Sequence, residues 1–196
     1  MLVAISGSQG SGKSTIIQEI EKRGYKVVNR KTSRSILTDW GVTLQQVNND
    51  HELTKKFQDE IIKRKQEDEE FERAHAEMHG PDPVFTERTY ADLFTYALIS
   101  LGKDNEHSEW MDHYYNECMK RQQSYGLVFY LPAGMFSVVH DGVRGSNQHY
   151  STMVDVTMRE FTEQMTHPSR LNLIRTPDLQ QRVSIIIEQA LSFTSF

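Results

Sequence analysis

The segment Gly7-Ser8-Gln9-Gly10-Ser11-Gly12-Lys13-Ser14, with Thr15 behind it, has the residue types and spacing to hold a phosphate chain. Its three glycines lack a Cβ, so the backbone can turn through positive φ and aim successive N–H groups at an anion. Lys13 is spaced to reach the β- and γ-phosphates, and the Ser14 hydroxyl to ligate the Mg2+ that bridges them. The apolar run Leu2 to Ile5 before the loop reads as a strand, and the pattern after it, up to Arg23, reads as a helix. The free N–H groups and positive dipole end of that helix add to the attraction. This strand-loop-helix context implies ATP or GTP with magnesium.

A second group of chemically capable residues is Val84-Phe85-Thr86-Glu87-Arg88-Thr89. In parallel α/β sheets ligands bind at the carboxyl ends of the strands, which brings Glu87 and Arg88 beside the phosphate loop. A carboxylate there can hold Mg2+ or its waters, or accept the proton of an attacking hydroxyl. Arg88 can bridge phosphate oxygens and offset charge on the transferring group. A third group, Arg30, Lys31 and Arg34, supplies cations where an acceptor would bind. The eight histidines show no ligand spacing paired with carboxylates that argues for a zinc site, and Trp40 and Trp110 read as packing residues rather than base platforms.

These residues need a scaffold, and the rest of the chain provides a pattern for one. Strands are expected at Leu2 to Ser6, Tyr25 to Asn29, Pro83 to Glu87, Gly126 to Leu131 and Leu171 to Ile174. Helical patterns separate them, which predicts an α/β fold of three layers, a five-stranded parallel sheet with helices on both faces. The helices are expected at Lys13 to Arg23, His51 to Met78, Tyr90 to Leu101 and Ser108 to Ser124, then on the Val154-Met158-Phe161-Met165 stripe. A last one opens at Thr176-Pro177-Asp178, with Thr176 as cap. The charged stretch Lys63 to Glu72 reads as a solvated helix face. Residues 132–150, rich in Gly and turn formers, read as a lid over the nucleotide.

The chain has 196 residues, so residues 1–196 are expected to form a single domain. A net charge of -5 counts against broad nucleic-acid or membrane binding. One cysteine, Cys118, permits no internal disulfide, and no leader or membrane span is evident, so a cytosolic setting is expected. The stripes suffice for one core, and a homodimer face stays open.

Several of these residues carry a family resemblance. Glu87-Arg88-Thr89 ahead of an aromatic-rich helix resembles the Glu-Arg-Ser motif of deoxynucleoside kinases and the Asp-Arg motif of thymidylate kinases. Phe57-Gln58 is similar to the Phe-Gln pair with which deoxynucleoside kinases grip the base. Over nearly the whole chain, the loop, Tyr125 to Pro132, His140-Asp141-Gly142-Val143-Arg144 and the final Gln181-Arg182 resemble the ribosylnicotinamide-kinase-like family of P-loop proteins, which has many phage-encoded members. The resemblance implies a P-loop kinase fold, with Arg144 as the lid arginine that closes on the phosphates and Asp141 orienting it. It departs from deoxynucleoside kinases at Val27 to Arg34, which holds no carboxylate to act as base. That leaves Glu87, or Asp92 one turn into the next helix, or a metal-assisted transfer with no strong base.

The leading expectation is therefore an ATP- and Mg2+-dependent kinase that phosphorylates a small acceptor, a nucleoside monophosphate and in particular a deoxynucleotide, with a nucleoside as the alternative acceptor. A second reading places the acceptor in DNA, as a hydroxymethylated base. A third is a nucleotide-switched ATPase or binding protein, for which no water-positioning residue or switch segment stands out.

Overall fold

The computed structural model describes residues 1–28, 33–78, 80, 82–134 and 147–194. Strands β1 (Leu2–Ser6), β2 (Lys26–Val27), β3 (Val84–Glu87), β4 (Tyr125–Tyr130) and β5 (Leu171–Leu173) form one sheet in the order β2-β3-β1-β4-β5, parallel throughout. The helices are α1 (Lys13–Lys22), α2 (Ser33–Trp40), α3 (Leu44–Asn48), α4 (His51–Glu77), α5 (Tyr90–Leu101), α6 (Ser108–Gln122), α7 (Gln148–Met165) and α8 (Leu179–Thr194). This is the three-layer α/β architecture expected from the alternation of short apolar runs with helical periods.

Alternation along β1 sorts its side chains onto the two layers. Leu2 and Ala4 join the core that includes Ile62 of α4, Phe94 of α5 and Met111 of α6. Val3 and Ile5 join the opposite core, with Ile16 and Ile20 of α1 and Val183, Ile186 and Ala190 of α8. Because β1 is buried on both faces, it reads as a continuous apolar run rather than an alternating one.

The strands share one direction, so Ser6, Glu87 and Tyr130 end at the same edge of the sheet. Ile5 pairs with Glu87 on one side and Phe129 on the other. The phosphate loop, Arg88 and the chain after β4 all start from that edge.

Four expectations are corrected by the packing. Strand β2 is only Lys26–Val27, since it pairs with β3 alone at the sheet margin. Helix α7 starts at Gln148, so the last three residues assigned to the lid belong to its first turn, capped by Asn147, which accepts from the His149 and Tyr150 N–H groups. Helix α8 is capped by Asp178, not Thr176: the Asp178 carboxylate accepts from the Gln181 N–H at 2.7 Å, and Thr176 Oγ1 accepts from the Asp178 N–H at 3.3 Å. The stretch Lys63 to Glu72 is not wholly solvated, because Lys65, Glu69 and Glu72 are buried on the face of α4 that continues Thr54, Gln58 and Ile62.

Among the described residues, no helix is long and apolar enough to cross a membrane. Cys118 is buried, and burial pushes its thiol well above the usual range.

Candidate active site

The loop between β1 and α1 turns through positive φ at Gly7, Gly10 and Gly12. At Gly7 the requirement is absolute in size as well as in φ, because a Cβ would lie 2.4 Å from the Leu131 carbonyl oxygen and 2.8 Å from Ser11 Oγ. Gly12 caps α1 in the left-handed region without a side-chain hydrogen bond, so the first N–H groups of the helix are not claimed by a capping side chain. Lys13 Nζ donates to the carbonyl oxygens of Gly7 at 2.6 Å and Ser8 at 2.8 Å, and its side chain is buried within the loop. Gln9 and Gly10 are half-buried at the loop's crest, and Thr15 is exposed on the first turn of α1.

Three loop serines, three residues apart, are each held by a different element. Ser8 Oγ donates to Asp155 Oδ1 of α7 at 2.9 Å. The Ser11 carbonyl accepts from the Arg182 guanidinium of α8 at 3.0 Å. Ser14 Oγ donates to Glu87 Oε1 at the end of β3 at 3.0 Å.

Asp155 also accepts from the Tyr130 hydroxyl at 3.0 Å and the Ala133 N–H at 3.0 Å, so one carboxylate joins the phosphate loop to the chain leaving β4. Arg182 is fully buried and further bonded to the Thr176 carbonyl, and burial depresses its pKa. Asp155 carries no signal in the sequence beyond lying one residue past Val154 of the α7 stripe, and its partners are 147, 25 and 22 positions away.

Glu87 is placed from below by a buried ionic network. Lys65 Nζ bonds to Glu69 Oε1 at 2.6 Å, Thr86 Oγ1 at 3.2 Å and the Glu87 carbonyl at 3.4 Å. Glu69 in turn accepts from Thr86 Oγ1 at 2.9 Å, from the Tyr90 hydroxyl at 2.9 Å and from the Tyr125 hydroxyl at 3.0 Å. Burial first, and the Glu69 charge second, push both phenols well above their ordinary pKa. Removing water from an ion pair is costly unless every lone pair finds a donor, and here three hydroxyls and an ammonium converge on one carboxylate.

Arg88 follows at φ 68, the one non-glycine residue at positive φ among those described. Its N–H donates to the Ile5 carbonyl at 2.9 Å, and its guanidinium lies 5.2 Å from the centre of the Tyr96 ring. Burial opposes its charge, but Tyr96, Asp92 and Glu87 outweigh that and raise its pKa. A strained residue held by its surroundings at a strand end is a recurrent mark of a functional position.

Asp92 stands otherwise than as an open base. It is fully buried, its Oδ1 accepts from Ser6 Oγ at 2.5 Å and Thr89 Oγ1 at 2.6 Å, and Oδ2 has no hydrogen-bond partner among the described residues. The carboxylate therefore braces the end of β1 against the first turn of α5. Gln58 is not a surface residue: with Phe57 it is buried, and the Tyr114 hydroxyl donates to its side-chain oxygen at 3.4 Å. Arg34 is exposed on the first turn of α2. Arg30, Asp141 and Arg144, and most of the expected lid, lie outside the described residues. Trp40 packs edge-on to Phe57 and Trp110 stacks on Tyr114, as expected of packing residues. A groove of about 600 Å3 is lined by Trp40, Val42, Leu53, Lys56 and Lys63.

A parallel sheet and a glycine-rich loop running into a helix, with a carboxylate across the strand ends, define the fold of the P-loop nucleotide-binding proteins. A family model described as an AAA domain matches residues 2–182, and the chain belongs to that family. Solved structures of similar fold include the deoxyadenosine kinase from M. mycoides with bound dCTP, 19% identical over 98% of this chain and 100% of that one, TM-score 0.69. The NadR protein in complex with NR is 12% identical over 96% of this chain and 51% of that one, TM-score 0.66. Thymidylate kinase from Candida albicans is 15% identical over 98% and 92%, TM-score 0.53. No protein of curated function matches the chain in sequence.

Proposed function

We propose that residues 1–196 form one ATP-dependent phosphotransferase domain, which moves the γ-phosphate to a nucleoside monophosphate, a deoxynucleotide foremost, in the cytoplasm. The observation that carries this reading is the Ser14–Glu87 contact at 3.0 Å, which sets a carboxylate across the strand ends from the phosphate loop. Two hard oxygen donors at that separation fit adjacent corners of an octahedral Mg2+ site, whose edge is about 2.9 Å for bonds of 2.0–2.1 Å. When bound there, Mg2+ neutralises charge shared between the β- and γ-phosphates.

The chain's own residues supply the rest. The N–H groups of Gly7 to Thr15 hold the triphosphate, and Lys13 is drawn from the Gly7 and Ser8 carbonyls toward the incoming phosphates. Glu87, half-buried at the strand end, holds the metal or accepts the proton of the attacking oxygen. Arg88 and Arg144 offset charge on the transferring group while the lid excludes water, with Asp141 orienting Arg144. Arg30 and Arg34 hold the phosphate of the acceptor.

A second reading keeps the donor half and makes the acceptor a nucleoside, supported by the fold likeness to the deoxyadenosine kinase over 98% of this chain. One assay separates them: ADP formation from ATP and Mg2+ with a panel of nucleosides and monophosphates. Turnover with monophosphates supports the first reading, turnover confined to nucleosides the second, and none with any acceptor overturns both.

A further inference from the structure

We propose that His51, Glu106 and His107 form a binding site for a divalent transition-metal ion, Zn2+ foremost, on the side of the molecule where α4 begins. His51 is the first residue of α4, and Glu106 and His107 lie in the short 3-10 turn Asn105–His107 that leads into α6. The His51 Nδ1, His107 Nε2 and Glu106 Oε1 atoms converge, with separations of 2.9 Å between the two nitrogens, 3.4 Å from His107 to the carboxylate and 3.7 Å from His51 to it.

The size of that triangle carries the inference. A circle through its three corners has a radius of about 1.95 Å, and three corners of a tetrahedral site with bonds of about 2.05 Å lie on a circle of about 1.93 Å. A metal-free pair places only one proton between the imidazoles, and the carboxylate at 3.4 and 3.7 Å then sits beyond or at the limit of hydrogen-bonding distance. One cation set just above the plane of the three atoms satisfies all of them together.

The surroundings suit such an ion. His107 is 4% exposed and its Nδ1 finds no partner among the described residues, so the polar edge it can use is the Nε2 edge facing His51 and Glu106. The side chains of His51 and Glu106 are 45% and 71% exposed, which gives an entry path and leaves the fourth corner to water. Two imidazoles and one carboxylate prefer Zn2+ and its neighbours to Mg2+, so this centre is chemically distinct from the oxygen pair at Ser14 and Glu87. Bound metal would clip the start of α4 to the turn before α6, two points 56 residues apart in sequence.

The test uses the whole chain, stripped with a chelator and titrated with Zn2+ in excess Mg2+. The expected result is one Zn2+ per chain, a higher midpoint of thermal unfolding, and the visible absorption of four-coordinate Co2+ when Co2+ replaces Zn2+. His51→Asn and Glu106→Gln change exposed side chains and leave the buried His107 in place, and each should weaken binding roughly tenfold or more. The double variant should lose both the Co2+ spectrum and the thermal shift. Absence of Zn2+ binding in the wild type, or equal binding by the double variant, overturns the proposal.

Discussion

Ser14 Oγ donates to Glu87 Oε1 at 3.0 Å, although the two residues stand 73 positions apart in the chain. The contact joins the last residue of the phosphate loop motif to the last residue of β3, the neighbour of β1 in the sheet. Glu87→Gln keeps the shape and a hydrogen-bonding oxygen but removes the charge. Turnover in the ATP assay is expected to fall about 100-fold or more, with a raised Mg2+ requirement if Glu87 holds the metal. Unchanged kinetics would remove Glu87 from the chemistry.

Asp155 is expected to act on donor binding rather than on the transfer step. Asp155→Ala strands the Ser8 and Tyr130 hydroxyls and the Ala133 N–H, three groups it now satisfies. Losing the net contribution of one or two such bonds should raise the KM for ATP roughly tenfold. Steady-state kinetics at varied ATP read this, and a fall in kcat at unchanged KM would contradict it.

The Lys65–Glu69 pair sets the stability of the site's support. Lys65→Met leaves the Glu69 charge buried, at an expected cost of about 3–5 kcal/mol. Lys65→Met with Glu69→Leu removes both charges and should cost much less than the two single changes together. Urea denaturation of the three variants measures the difference, and simple additivity would argue against a coupled pair.

Tyr90 and Tyr125 couple stability to alkaline pH. Both phenols have raised pKa values in the folded protein, through burial and then Glu69, against about 10 in the unfolded chain. Above pH ~10 the unfolded state releases protons that the folded state retains, so stability is full below that point and declines as pH rises through it. Tyr90→Phe and Tyr125→Phe should each flatten the decline between about pH 9.5 and 11. Unfolding midpoints that show the same slope in wild type and both variants would refute this coupling.

Much of the scaffold was legible because its signals are local. Strand β1 is buried on both faces and apolar from Leu2 to Ile5, and Tyr90 to Leu101 repeats its apolar residues at helical spacing. The stretch from Lys63 to Glu72 shows where local reading fails. Its charges suggest solvent, yet Lys65, Glu69 and Glu72 continue the spacing of Thr54, Gln58 and Ile62. That spacing was present in the chain, but only the hydroxyls of Thr86, Tyr90 and Tyr125 make burial of an ion pair tolerable.

Gly7 to Ser14 carry the pattern of a phosphate site by themselves, because backbone freedom, a lysine and a hydroxyl fall within eight residues. Glu87 and Arg88 could also be placed from sequence, since parallel strands must end at one edge. Only the tertiary structure decided that Asp155 and Arg182 anchor the loop, that Asp92 is sealed beneath the strand ends, and that His51 meets Glu106 and His107. Those meetings depend on the rotation and register of helices packed on the sheet, which follow from the fit of whole apolar faces and leave no mark at the residues themselves.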